Sequence, residues 1–112
     1  GAFLGGGIAA GVRLTLKALT ENTSQLTSIP ITAPSSVISP NTVECMQSGL
    51  VYGTAAMLDG LLNRIENELG EAPTVVATGG LSKEIIAYCE HNIIYNENLL
   101  LEGLRTVYEK NN

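Results

Sequence analysis

The stretch Ala72–Ile85, APTVVATGGLSKEI, decides how this chain is read. Val75 to Thr78 read as a short strand, β-branched but for Ala77; Gly79 and Gly80 follow; then Ser82 can cap a helix through about His91, with Ile85, Ile86 and Cys89 on one face. Strand, glycine turn and helix in that order form the βα unit of an α/β layer fold. Two adjacent glycines leave bare backbone amides at the start of a helix. There an anion is favoured, or a flat ring can approach closely, or the turn simply needs glycine for steric reasons. Glu84, in the first helical turn, already complements the dipole and opposes a phosphate at that end.

The same arrangement recurs at the start. Residues 2–4 read as the end of a strand running into Gly5, Gly6 and Gly7, with Ile8, Val12, Leu16 and Leu19 at helical spacing to about Glu21. Neither a P-loop lysine nor a dinucleotide spacing accompanies this second glycine cluster. Between the two units, residues 22–41 are rich in Ser, Thr and Pro. Pro30, Pro34 and Pro40 exclude a long regular element, while Ile29, Ile31, Val37 and Ile38 predict a loop packed onto the core. From Asn41 a helix of about seven turns runs to Leu69, with Asn41 or Thr42 as its N-cap and Gly70 just beyond its end. Inside it stand Gly49, Gly53 and Gly60, although an interior glycine costs about 1 kcal/mol relative to alanine. That repeated cost implies close approach of another backbone. Ile93 to Tyr95 read as a last strand, and NENLLLEGLRTVYEK as a closing helix with Leu100, Leu101, Leu104, Val107 and Tyr108 inward.

Composition sets the outer limits. A chain of 112 residues, 45% hydrophobic and 15% charged, fits one domain with a core, residues 1–112 forming a single unit. The net charge of -5, six scattered Lys and Arg, and the absence of Trp argue against nucleic acid as a partner. Cys45 and Cys89 stand alone, as free thiols in a reducing, cytoplasmic setting do. No apolar stretch reaches the length of a membrane span. His91 has no second His or Cys at ligand spacing and reads as a structural histidine near a helix end, and Ser48 and Ser82 have no base beside them, so neither a metal site nor a hydrolase is expected. Asp59, the only aspartate, reads as a solvated or interface carboxylate; Glu44, Glu66, Glu68, Glu97 and Glu102 read as solvated faces. The chain opens at Gly1 without a Met, already inside a strand-like AFLGGG, which is expected of a piece of a longer protein.

Four stretches together, FLGGGIAAGVRLTLKAL, NTVECMQSGLVYGTAAMLDGLLNRI, VVATGGLSKEI and NENLLLEGLRTVYEK, resemble in order and spacing the C-terminal half of type III pantothenate kinases, the Bvg accessory factor-like family. The resemblance covers nearly the whole chain. It implies an α/β half-domain of the ribonuclease H-like, actin-like ATPase type, a short sheet flanked by helices. By the same resemblance, Thr78, Gly79 and Gly80 match the adenosine motif, and Thr42 matches a threonine that hydrogen-bonds pantothenate across a dimer interface; Gly6 and Gly7, in the second glycine turn ahead of a helix, are expected to contribute to the ATP site. From the residues alone Thr42 reads equally as a helix cap. Gly49 and Gly53 would let the long helix pack on its two-fold mate in a homodimer. The family phosphorylates pantothenate with ATP, using a divalent metal such as Mg and commonly a monovalent cation, K or NH4.

The sequence departs from the family in two ways. Ala10 stands where the family usually has Pro. The aspartate-bearing phosphate loops and the Gly-x-Asp-Arg segment with the general base do not occur, so no catalytic residue is assigned and no kinase activity is expected of the 112 residues alone. Two functions therefore stand at this level: the adenosine-binding and dimer-forming part of a pantothenate kinase, or a non-catalytic dimeric accessory module of the same fold.

Overall fold

The computed structural model describes residues 7–8, 11–21 and 29–98. Its elements are α1 (Val12–Thr20), α2 (Thr42–Leu69), β1 (Val75–Ala77), α3 (Ser82–Ile86) and β2 (Ile93–Tyr95). The strand expected at residues 2–4 and the closing helix lie outside the described residues.

β1 and β2 pair in parallel, with Val75 opposite Ile93, Val76 opposite Ile94 and Ala77 opposite Tyr95. Parallel pairing forces the chain to cross over between the strands, and α3 lies in that crossover. The α/β class follows from this β1-α3-β2 unit. Side chains alternate across the ribbon: Val75, Ala77, Ile93 and Tyr95 are half-buried, whereas Val76 and Ile94 face outward.

The long helix is capped at both ends as its sequence requires. Asn41 Oδ1 accepts from the Glu44 amide at 2.9 Å, and Gly70 adopts φ 78°, its N–H donating to the Glu66 carbonyl at 2.8 Å. One face of α2 meets the core, where Val51 and Ala55 pack with Ile85 of α3 and are flanked by Val12, Ile31, Ala33, Leu58 and Cys89. Full burial of a Val or Ile side chain is worth about 1.5–3 kcal/mol, so Val51 and Ile85, with Ala55 between the helices, fix α3 against α2.

Two expected helices are shorter than their apolar spacing suggested. α1 begins at Val12, after Gly11, and Ile8 is fully exposed. α3 ends at Ile86 instead of near His91; the next residues form a turn in which the Tyr88 N–H donates to Ile85 O and the Cys89 N–H to Ile86 O. Those i→i+3 bonds tighten the chain so that it can turn toward β2.

The Pro-rich excursion is ordered by polar groups on the flank of α2. Gln47 Nε2 donates to the Pro30 carbonyl at 3.0 Å, Ser48 Oγ to the Val37 carbonyl at 2.6 Å, and the Tyr52 hydroxyl to the Pro34 carbonyl. Ile29 is buried and Ile31 packs on the core, but Val37 and Ile38 point into solvent, contrary to expectation. Capture of the Val37 carbonyl by Ser48 brings the backbone to the helix while leaving those two side chains outside.

Candidate functional site

The glycine turn after β1 forms one wall of a cleft of about 620 Å³. Gly79 has φ 99°, a conformation that L side chains rarely adopt, so glycine is required there by the backbone itself. Gly80 has no such constraint. A Cβ built on it would meet nothing within 4 Å, so nothing in the chain explains why Gly80 is glycine. The Ser82 hydroxyl donates to the Thr78 carbonyl and the Ser82 N–H to Gly79 O at 3.2 Å, closing the turn. Ser82 is thus the first residue of α3 and not its cap, which is Leu81. Thr78 Oγ1 donates to the Glu97 carbonyl at 3.4 Å, and the Asn96 N–H donates to Ala77 O at 2.8 Å; together they tie the turn to the segment after β2.

The start of α1, namely Gly11, Val12 and Arg13, also lines it, as do Thr54, Met57 and Leu58 of α2 and Leu81, Ser82, Ile85 and Ile86 at and in α3. Hydrocarbon dominates this surface. Arg13 is the one ionisable side chain among the described lining residues. Thr78, Gly79 and Gly80 therefore lie together on the cleft, as the sequence indicated. Gly7 does not line it, and Gly6 lies outside the described residues. Where the glycine run was expected to reach the cleft, Gly11 and Arg13 do so, because α1 starts four residues later than its spacing predicted. In the sequence Arg13 is one of six scattered basic residues. A cation in the first turn of a glycine-preceded helix, where charge of that sign is disfavoured, is the signal that could have singled it out.

A second hollow, shallower and of about 520 Å³, is lined by Leu19, Pro40, Asn41, Thr42, Cys45, Met46 and Gly49. Asn41 supplies the helix cap, so the Thr42 hydroxyl is not used for that purpose. With 3.6 residues per turn, Thr42, Gly49, Gly53 and Gly60 fall on the face of α2 opposite Val51 and Ala55. A Cβ on Gly49, Gly53 or Gly60 would meet nothing within 4 Å, so no described part of this chain makes the close approach that their presence implies.

Farther along α2, Asp59 performs a task that its sequence did not reveal. Its carboxylate accepts from the Glu90 amide at 2.8 Å and the His91 amide at 3.1 Å, and stands 2.7 Å from His91 Nδ1. His91 Nε2 lies 3.5 Å from Glu66, one further pair of turns along the same helix face. The Glu90 N–H holds the Asp59 carboxyl below its usual range, burial opposes that, and the His91 side chain and amide reinforce it. Neither residue is simply solvated: together they pin the turn that leads into β2. Burial beside Ala55, and then the Asp59 charge, push the Cys89 thiol up. Among the described residues no group of three His, Cys, Asp or Glu side chains is placed to hold a metal ion.

The fold and cleft define an α/β chain with an apolar slot between a strand-glycine-helix turn and the start of a second helix. Residues 1–64 match the family model of type III pantothenate kinases. The chain is 41% identical over 111 residues to the type III pantothenate kinase of Acidothermus cellulolyticus, 44% over 111 residues to that of Frankia alni and 45% over 116 residues to that of Streptomyces coelicolor. Each comparison takes in 99% of this chain and 43–44% of the relative. This chain belongs to the type III pantothenate kinase family, and it spans less than half the length of the relatives it matches.

Proposed function

We propose that this chain is the C-terminal part of an ATP-dependent pantothenate kinase of ribonuclease H-like, actin-like fold. It would contribute the adenosine-binding wall and the homodimer face of an enzyme that makes 4'-phosphopantothenate, the first step of coenzyme A biosynthesis. The observation that carries this reading is the conjunction, in one apolar cleft, of the Thr78-Gly79-Gly80 turn with hydrocarbon from three helices. Such a slot suits a flat ring: Gly80 lets the ring lie on the backbone, while Leu58, Ile85 and Ile86 exclude water from it. Thr78, whose proton is committed to Glu97, retains lone pairs to accept a ribose hydroxyl.

In this reading Thr42, freed from capping by Asn41, presents its hydroxyl to pantothenate in the hollow beside Gly49. Gly49 and Gly53 receive the two-fold mate of α2. ATP supplies the phosphoryl group; what these residues do is bind and orient. The described cleft lining has no carboxylate or histidine and so does not fit a divalent cation site. The divalent-cation ligands implied by the family are then contributed by other residues.

Gly80→Val tests the adenosine assignment. The added side chain meets open space in the chain, so thermal stability should stay within about 0.5 kcal/mol, as at ordinary surface positions. Adenosine affinity, measured by calorimetry, should fall at least tenfold. Unchanged affinity would remove the turn from the site.

A further inference from the structure

Among its described lining residues the cleft carries a single ionisable side chain, Arg13, and the element that supplies it bears on how a nucleotide would lie there. The turn and α3 contribute bare glycine backbone, the hydroxyl-bearing Thr78 and Ser82 and the side chains of Leu81, Ile85 and Ile86, while Lys83 and Glu84 of α3 do not line the cleft. From α1 comes Arg13, which forms no ion pair with any described residue, and the first turn of α1 carries no acidic residue. A guanidinium in the first turn of a helix is held against the dipole, a disfavoured position that an incoming anion would relieve. We infer that Arg13 is a binding residue for the phosphate chain of the nucleotide, which lies with its ring toward Gly79 and Gly80 and its phosphates toward the start of α1.

This assignment rests on the adenosine reading of the cleft and goes beyond it by fixing the ligand's direction. It depends on the guanidinium and the cleft, since planar, multiply donating Arg suits phosphate oxygens in a way that the neighbouring hydrocarbon cannot.

The test compares adenosine with ADP, in the absence of metal, on the 112-residue chain and on Arg13→Gln and Arg13→Lys. Arg13 is exposed, so both variants should keep the parent's circular dichroism and melting temperature. The parent should bind both ligands, with ADP favoured and the preference shrinking as salt is raised. Arg13→Gln should lower ADP affinity about fivefold, as expected of an exposed charge pair, and leave adenosine unchanged. Arg13→Lys should restore part of the loss. Equal losses for both ligands, or no loss for either, would overturn the phosphate assignment while leaving the adenosine site standing. Failure of the parent to bind adenosine would overturn the adenosine reading and this inference with it.

Discussion

Replacing Gly49 and Gly53 with alanine separates what α2 needs as a helix from what its outer face needs for association. Both glycines lie in the interior of a helix of 28 residues, on the side away from the core, and an added Cβ at either meets nothing within 4 Å. Each carries the backbone entropy cost of glycine in a helix, about 0.8–1.0 kcal/mol relative to alanine. With no intrachain clash to offset the gain, the double variant should be more stable as a monomer by about 2 kcal/mol. Urea denaturation at micromolar or lower concentration measures this, and the midpoint should rise with an unchanged slope. The opposite effect is expected on association. If two copies of α2 meet through these glycines, two extra methyl groups per chain separate the backbones, and sedimentation should show dimer affinity falling at least tenfold. A double variant that is less stable than the parent at high dilution would refute the reasoning, because it would mean that the glycine face is packed within one chain. Greater stability with unchanged association would retain the helix argument but remove the glycines from the interface.

Other outcomes follow from the same structure. Asp59→Ala should cost about 2 kcal/mol in chemical denaturation, since it strips two backbone N–H groups and His91 of a charged acceptor. Because the folded Asp59 carboxyl lies below its ordinary value of 3.8, its contribution is present above that value and is lost as pH falls through the folded one. The stability gap between parent and Asp59→Ala should therefore be full at pH 7 and close as the pH falls below about 4, whereas a gap that widens on acidification would contradict the assignment. Incubated with ATP and pantothenate, the 112-residue chain should give no 4'-phosphopantothenate. Its only aspartate is engaged by Glu90 and His91 and does not line the cleft, so turnover from this chain alone would contradict the division of roles.

Much of the architecture was legible because it rests on local rules. Asn41 and Gly70 bound the long helix as cap chemistry demands, and β-branched Val75 and Val76 followed by two glycines gave the strand and turn. The helix ends of α1 and α3 were misread for a common reason. Ile8 and Cys89 continue an apolar spacing, but periodicity does not say where glycine, or a turn tightened by backbone hydrogen bonds, stops the helix. Val37 and Ile38 misled in another way: hydrophobic side chains in a Pro-rich loop suggested burial, whereas long-range capture of backbone carbonyls by Ser48 and Tyr52 decided the path.

The candidate cleft was half legible. Thr78, Gly79 and Gly80 stood out because they are contiguous and share one turn. Arg13 and the Asp59–His91 pair did not, because each acquires its role from a residue many positions away that no local pattern identifies. An aspartate in mid-helix looks solvated until the turn it holds is in place.

The most direct test of the adenosine-binding account is a nuclear magnetic resonance titration of the 112-residue chain with adenosine, following backbone amides. Progressive, saturable shifts at Gly79, Gly80 and Gly11, with Gly49 and Gly53 unmoved, are the result the account predicts. Saturable shifts confined to Thr42 and Gly49, or none at any of these amides at millimolar adenosine, would contradict it.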